Sequence, residues 1–186
     1  MDLERAIQVA VKAHSGIMDK TNLPSILHPL RVMGMLSLSP EYKTTNEQIV
    51  AVLHDTIEDT KITLEDLQTY GYAEEIILAV DAITRRDNEI YMDYIKRLSK
   101  NKTARIVKMM DLIDNMNRDD GFDIKTKMGL RKRYEKALAY LYIVHSAASN
   151  MRDFNLIYNA VMKIVTESGL TLDEWLYAKA RRKEVK

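Results

Sequence analysis

The stretch VAVLHDTIEDT, residues 50–60, carries one histidine and three carboxylates at the end of an apolar run. If the stretch is helical, four-residue spacing stacks His54 over Glu58. The same spacing stacks Asp55 over Asp59. Carboxylates this close together repel one another and resist desolvation, so a positive group must compensate them, and a divalent metal ion is the most economical candidate. The alternative is a solvent-exposed acidic turn with no chemical role.

Two further residues suited to metal binding lie on other predicted helices. His28 lies near the start of a helix predicted for residues 26–38, and Asp111 lies within a helix predicted for residues 103–117 whose girth is mostly apolar. A carboxylate in such a helix must be hydrogen-bonded, ion-paired or metal-bound. Asp111 therefore has two interpretations, a metal ligand or the ion-pair partner of Lys108.

Along the chain, His28, the His54-Asp55 pair and Asp111 give the order H, HD, D on three predicted helical segments that face inward. Two imidazoles and two carboxylates suit Mn²⁺, Fe²⁺, Zn²⁺ or Mg²⁺. The sequence contains no Cys, which excludes disulfides, thiolate ligands and cysteine nucleophiles. Any metal ligands are therefore His, Asp or Glu side chains, and His28, His54, Asp55 and Asp111 are the candidates.

Composition restricts the fold class and the partners. The 186 residues are 46% apolar and 30% charged, with only six Gly and three Pro, which is typical of a helical protein with a single core. A net charge of +1 creates no global field that would attract nucleic acid or an anionic membrane. The N-terminus is acidic and no apolar run approaches about 18 residues. We expect a soluble, cytoplasmic protein.

Apolar periodicity and capping signals predict helices along the whole chain. His14 and His145 fall on helix faces that are typical of packing histidines. No glycine-rich phosphate loop occurs, which argues against a P-loop enzyme. The predicted helices cover residues 2–15, 26–38, a segment from 45, a short segment from 63 to Gly71, 73–84, 90–98, 103–117, 127–149, 154–167 and a last segment with Trp175.

Three segments closely resemble the hydrolase domain of RelA/SpoT-type alarmone enzymes, within the HD phosphohydrolase superfamily, and their small stand-alone relatives. They are AHSGIMDKTNLPSILHP at 13–29, LHDTIEDT at 53–60 and VKMMDLIDNM at 107–116. The resemblance implies an all-α, single-domain helical bundle of the HD type, a bound Mn²⁺ and removal of the 3′-pyrophosphate from ppGpp or pppGpp. It covers residues 1–145 and leaves 146–186 as a C-terminal helical extension packed on the same domain.

The resemblance also implies roles for individual residues. The four histidine and aspartate positions above would hold the metal, and Glu58 and Asp59 would be the catalytic acidic pair that prepares the attacking water. Asn115 matches a residue that contacts the ribose–phosphate region of the nucleotide. Lys20 and Lys108 are candidate phosphate contacts, together with Arg85 and Arg86.

Three positions depart from the family pattern. Asp19 stands where the family usually has Arg, and a carboxylate cannot stack on guanine as a guanidinium does. Ile17 replaces a usual Gln, and Ser25 a usual Tyr. The sequence therefore identifies the metal-binding and acidic residues better than it identifies the base of the substrate or the position of its phosphate. The metal identity, the oligomeric state and the role of residues 146–186 stay open.

Three functions fit this pattern. The leading hypothesis is a metal-dependent hydrolase of a 3′-phosphorylated or pyrophosphorylated nucleotide, with (p)ppGpp as the first substrate. The second is an HD-type phosphatase acting on another nucleotide. The third is a catalytically silent nucleotide-sensing module. We favour an enzyme because all six metal and acid positions are present.

Overall fold

The computed structural model describes residues 2–38, 45–118 and 121–148, together with the isolated positions 163, 165–167 and 169. Regular structure in these residues is helical, and the β interaction they contain is an isolated bridge between Met18 and Pro24. The predicted all-α fold class is thus confirmed. Apart from the isolated positions, the helices predicted at 154–167 and around Trp175 lie outside the described ranges.

The described part of the chain contains the following helices. Most begin and end within two or three residues of the positions predicted from periodicity. They are α1 (Leu3–Ala13), α2 (Leu27–Ser37), α3 (Thr45–Leu53), α4 (Thr56–Asp59), α5 (Leu64–Thr69), α6 (Glu74–Ile83), α7 (Tyr91–Leu98), α8 (Lys102–Asn117) and α9 (Ile124–Ala148).

The chain divides into two compact units, Met1–Phe122 and Asp123–Lys186. Helices α1 to α8 belong to the first unit, and α9 belongs to the second. The first unit ends upstream of the functional boundary predicted between residues 145 and 146, which stays a prediction. All the candidate metal, acid and substrate residues lie in the first unit.

Local capping determines where several helices begin and end. The Asp2 carboxylate accepts a hydrogen bond from the Arg5 backbone N–H at 3.0 Å and caps α1. The capping box predicted at Thr63 and Asp66 is present before α5. Gly71 follows that helix with φ 81°, a left-handed conformation that glycine adopts without strain. These signals confirm the predicted ends of the short fifth helix.

Helices α3 and α8 form the centre of the first unit. Residues 49–53 of α3 are fully buried, and α3 packs against α1, α2, α6 and α8. Helix α8 buries most of its circumference, as its apolar pattern predicted. Because α2, α3 and α8 pack on one another, polar side chains that they turn inward must meet in a small buried volume.

Residues 50–60 do not form one continuous helix. Helix α3 ends at Leu53 and α4 begins at Thr56, so that His54 and Asp55 form the junction between them. The His54 imidazole donates through Nδ1 to the Ala51 carbonyl at 2.7 Å, which gives a carbonyl near the helix end a side-chain partner. The His-Asp pair therefore projects from a break in the helix, where both side chains can turn toward α8.

Arg97 secures the connection between α6 and α7. Its guanidinium donates to the Glu89 carboxylate at 2.7 and 2.8 Å, and to the carbonyls of Ala82 at 3.1 Å and Thr84 at 2.9 Å. The hydrogen bonds that the Glu89 carboxylate accepts, first from Arg97 and then from the Arg86 backbone N–H, lower the pKa of Glu89 to about 2. The same connection carries Arg85, whose backbone N–H donates to Glu58.

We predict that Glu89→Gln lowers the free energy of unfolding by about 1–2 kcal/mol at pH 7, because the bidentate charge-assisted pair is lost. A carboxyl with a lowered pKa stabilises the fold fully above its ordinary pKa and loses that contribution as the pH falls toward 2. In urea titrations, the difference in unfolding free energy between the variant and wild type should therefore be less than half as large at pH 3 as at pH 7. Glu65→Gln, an exposed carboxylate on α5, serves as the control. An equal difference at both pH values would contradict this assignment.

Candidate metal centre

Two histidines and one aspartate meet between α2, the α3–α4 junction and α8. One ligand atom from each of His28, His54 and Asp111 lies within 4.8 Å of the others, and all three residues are buried. His28 Nε2 is 2.8 Å from Asp111 Oδ1, and His54 Nε2 is 3.7 Å from the same oxygen. The two imidazole rings meet edge to face with centroids 5.1 Å apart. The group has the composition and spacing of a cluster that could hold a metal ion.

Asp55 completes the set of four residues predicted from the sequence. Its Oδ1 lies 3.0 Å from His54 Nε2, and its Oδ2 lies 3.6 Å from His28 Nε2. The side chain of Asp55 is 25% exposed, whereas that of Asp111 is 3% exposed. Asp55 therefore marks a side on which the cluster is open to solvent.

The hydrogen bonds around the two histidines fit a bound cation. A backbone carbonyl can only accept, so the Nδ1 proton of His54 is committed to Ala51. In the neutral ring, Nε2 then carries a lone pair directed toward carboxylate oxygens, and this buried atom has no hydrogen-bond partner among the described residues. A lone pair and a carboxylate repel each other unless a proton or a metal ion lies between them.

The electrostatics of the cluster also favour positive charge. Burial alone would lower the pKa of His54, but the Asp55 and Asp111 carboxylates outweigh that effect and raise it well above the usual range. Burial would also lower the pKa of His28, but its hydrogen bonds with Asp111 and Asp114 raise that pKa above the usual value. Burial would raise the pKa of Asp111, yet Lys108 and the histidines hold it well below its usual range. A divalent cation would satisfy the same carboxylates.

Asp114 and Arg31 support His28 and were missed by the sequence analysis. His28 Nδ1 donates to Asp114 Oδ2 at 2.7 Å, and Arg31 donates to both oxygens of Asp114 at 2.8 and 2.9 Å. A carboxylate behind a ligating imidazole orients the ring and makes it a better ligand. The available signal was spacing, because Asp114 lies one turn after Asp111 and Arg31 one turn after His28.

Asp111 can be both the ion-pair partner of Lys108 and a candidate metal ligand, because its two oxygens have different partners. Lys108 Nζ lies 2.6 Å from Oδ2, while His28 Nε2 and Asn115 Nδ2 approach Oδ1 at 2.8 and 2.6 Å. Lys108 also lies over the Tyr94 ring at 5.4 Å from its centroid. Lys108 and Asn115, predicted to contact substrate, are thus observed positioning Asp111, and their contact with substrate stays a prediction.

Asp19 organises the loop between α1 and α2. Its Oδ1 accepts hydrogen bonds from the Thr21 backbone N–H at 2.8 Å, the Thr21 hydroxyl at 2.7 Å and the Leu23 backbone N–H at 3.0 Å. Its other oxygen pairs with Arg118 at 3.1 Å. The departure from the family pattern at Asp19 therefore gives an ordered loop that is tied to the end of α8.

Arg118 joins that loop to the cluster and was also missed from the sequence. Its Nη2 donates to Asn115 Oδ1 at 3.5 Å, and Asn115 in turn holds Asp111. Lys20, the predicted phosphate contact, is exposed, and its ammonium lies 4.8 Å from the centroid of the Phe122 ring. The Arg118 guanidinium thus connects the loop to the asparagine that holds Asp111.

Glu58 and Asp59 lie on α4, immediately after the His-Asp pair. The pKa of Glu58 is raised, chiefly by partial desolvation, although the Arg85 backbone N–H at 2.5 Å opposes the shift. The pKa of Asp59 is raised by partial desolvation and by the nearby charge of Asp55. Carboxylates with raised pKa values accept protons more readily near neutral pH.

Other residues singled out in the sequence have structural partners. His14 is buried and its Nδ1 lies 3.0 Å from Ser25 Oγ, as predicted for a hydrogen-bonded histidine, whereas its buried Nε2 has no hydrogen-bond partner among the described residues. Arg85 donates to the Glu89 carbonyl, and Arg86 pairs with Asp81 at 3.2 Å. Among the described helices, none combines the length and apolar character needed to cross a membrane.

Comparison with known proteins confirms the resemblance to RelA/SpoT-type enzymes, although no family model matches the sequence. The chain is 28% identical to a GTP pyrophosphokinase of Streptomyces coelicolor, over 94% of this chain and 22% of the relative. It is 26% identical to a guanosine-3′,5′-bis(diphosphate) 3′-pyrophosphohydrolase of Aquifex aeolicus, over 94% of this chain and 27% of the relative. The chain thus spans about a quarter of the length of these relatives.

The fold is shared with a solved structure of a metazoan ortholog of SpoT, which is described as hydrolysing ppGpp. The TM-score is 0.71 at 21% identity, and the match covers 91% of this chain and 96% of the other. A likeness of this kind shows a shared fold.

We predict that Asp114→Asn weakens Mn²⁺ binding by about 10- to 100-fold, because the amide orients His28 less well and no longer raises its basicity. Isothermal titration of the metal-free protein with Mn²⁺ measures the effect, and circular dichroism checks that the variant is folded. Asp87→Asn, an exposed aspartate between α6 and α7, is the matched control. Equal Mn²⁺ affinity in both variants would exclude a positioning role for Asp114.

Proposed function

We propose that this relative of the RelA/SpoT-type enzymes is a metal-dependent nucleotide phosphohydrolase whose first substrate is (p)ppGpp, from which water removes the 3′-pyrophosphate. The observation that carries the proposal is the convergence of four side chains, His28, His54, Asp55 and Asp111, beside an acidic pair. The relatives bear both synthase and hydrolase names. Metal-assisted hydrolysis uses buried clusters of imidazoles and carboxylates, which supports hydrolysis rather than synthesis.

The four clustered residues would hold the metal. Their nitrogen and oxygen atoms, without any thiolate, suit Mn²⁺ and similar divalent ions. When bound there, the cation would acidify a water molecule and offset the negative charge of the phosphoryl oxygens. Lys108 keeps Asp111 ionised and His28 is oriented by Asp114, so the protein preforms the ligand set before an ion arrives.

Glu58 and Asp59 would perform the proton transfers. Both follow the His-Asp pair on α4, and both have raised pKa values. One carboxylate would orient and deprotonate the water that attacks the phosphorus attached to the ribose O3′. The bond between that phosphorus and O3′ would break, and the proton would pass to O3′, which leaves as the 3′-hydroxyl while pyrophosphate is released. The backbone N–H of Arg85 holds Glu58 in place, and the Arg97–Glu89 pair holds the segment that contains Arg85.

A second candidate function keeps the same chemistry and changes the substrate. Asp19 is committed to its own loop and to Arg118, which favours a base-recognition surface unlike that of the family. An HD-type phosphatase acting on another nucleotide, including a 3′-phosphorylated one, is the alternative that this observation supports. A silent nucleotide-sensing module is less well supported because the cluster and both acids are retained. The products released from a panel of nucleotides separate these functions.

We predict that the Mn²⁺-loaded protein releases pyrophosphate from ppGpp, and that Glu58→Gln and Asp59→Asn each lower kcat by about 10² to 10⁴. Nucleotide affinity should be retained, since neither carboxylate ligates the metal in this proposal. Glu65→Gln provides a control with the same chemical change on an exposed face of α5.

Steady-state pyrophosphate release and equilibrium nucleotide binding provide the two measurements. Failure of the wild type to turn over ppGpp and a panel of 3′-phosphorylated nucleotides would exclude the hydrolase. Tight nucleotide binding without turnover would instead support the sensing module.

A further inference from the structure

Three successive contacts connect the α1–α2 loop to the candidate metal ligand Asp111. Asp19 Oδ2 in the loop accepts from Arg118 Nη1 at 3.1 Å. Arg118 Nη2 donates to Asn115 Oδ1 at 3.5 Å, and Asn115 Nδ2 donates to Asp111 Oδ1 at 2.6 Å. Asp19 and Arg118 lie 99 positions apart in the sequence, so their ion pair joins the loop to the C-terminal end of α8.

The two partners of Asn115 determine the orientation of its amide. An ionised carboxylate can only accept a hydrogen bond, and a guanidinium can only donate one. The amide nitrogen therefore faces Asp111, and the amide oxygen faces Arg118. A flipped amide would place its nitrogen against the guanidinium and its oxygen against the carboxylate, and both contacts would become repulsive. Arg118 thus selects the atom of Asn115 that reaches Asp111.

Asp19 in turn holds the Arg118 guanidinium. Asp19 Oδ1 already accepts hydrogen bonds from the backbone and hydroxyl of Thr21 and from the backbone of Leu23, which leaves Oδ2 for Arg118. The side chains of Asp19 and Arg118 are 16% and 27% exposed, so water screens this pair less than it screens a pair on the open surface. A displacement of the loop therefore displaces the guanidinium as well.

We propose that Arg118 is a positioning residue that couples the α1–α2 loop to the metal centre. Through Asn115 it restrains Asp111 Oδ1, the oxygen that also faces His28 Nε2 at 2.8 Å. The inference rests on the proposed function and deepens it, because the predicted phosphate contact Lys20 lies in the same loop. A nucleotide that orders the loop then tightens metal binding, and the metal tightens nucleotide binding by the same factor.

NMR spectra of the metal-free protein test the connection from the loop to Asn115. Arg118→Gln should shift the side-chain amide resonances of Asn115 and speed their exchange with solvent, because the guanidinium no longer restrains the amide. Asp19→Asn should shift the same resonances in the same direction, through Arg118. This variant keeps an oxygen for Thr21 and Leu23 and replaces only the oxygen that faces the guanidinium.

Titration calorimetry with Mn²⁺ tests the connection from the loop to the metal centre. Arg118→Gln should weaken Mn²⁺ binding by about three- to tenfold, less than the loss of a carboxylate that contacts a ligating imidazole directly. Asp19→Asn should weaken it by a similar factor. The double variant should bind no more weakly than Arg118→Gln alone, because the two residues act in series. Arg118→Lys should not restore the affinity, since an ammonium lacks the fork that reaches both partners.

The control is Asp93→Asn/Lys96→Gln, which removes an exposed ion pair of α7 with a separation of 2.8 Å. It should change neither the Asn115 resonances nor the affinity for Mn²⁺. Circular dichroism checks that each variant is folded.

Unchanged Asn115 resonances in Asp19→Asn would overturn the proposal, whether or not the protein binds Mn²⁺ or hydrolyses ppGpp. Additive losses of Mn²⁺ affinity in the double variant would also overturn it, because the two residues would then act independently. A wild type that shows the expected resonance shifts in its variants but binds no Mn²⁺ would overturn the proposed function and still support the connection between the loop and Asp111.

Discussion

The buried carboxylate of Asp111 is the constraint on which the rest of the site depends. An ionised aspartate that is 2% exposed on a helix buried around most of its circumference is stable only if both oxygens have charged or hydrogen-bonding partners. Lys108 provides one partner from the same helix, and His28 provides the other from α2. The packing of α2 against α8 and the ionisation of Asp111 thus stabilise each other.

Each ligand candidate is held by a partner from its own or a neighbouring helix. Asp114 and Arg31 orient His28, and the Ala51 carbonyl orients His54 through the opposite ring nitrogen. Both imidazoles therefore turn Nε2 toward the same carboxylates. The break between α3 and α4 makes this possible, since it releases His54 and Asp55 from a regular helical turn.

Much of the fold could be predicted because its signals are local. Apolar periodicity located α8, and the capping box at Thr63 located the start of α5. The four clustered residues could be named because they resemble a family pattern. Spacing places Asp114 and Arg31 one turn after Asp111 and His28, but their roles, like that of Arg118, depend on how the helices pack, because their contacts join residues 83 to 99 positions apart. The break at His54 is accompanied by a side-chain hydrogen bond to the Ala51 carbonyl, which apolar periodicity does not indicate.

The central claim is that His28, His54, Asp55 and Asp111 together bind one divalent cation. Anomalous diffraction from crystals grown with Mn²⁺ tests it most directly, because manganese is located independently of the protein atoms. The account predicts one anomalous peak per chain, coordinated by both Nε2 atoms and by the carboxylates of Asp55 and Asp111. A peak elsewhere, or none at these residues at saturating Mn²⁺, would contradict it.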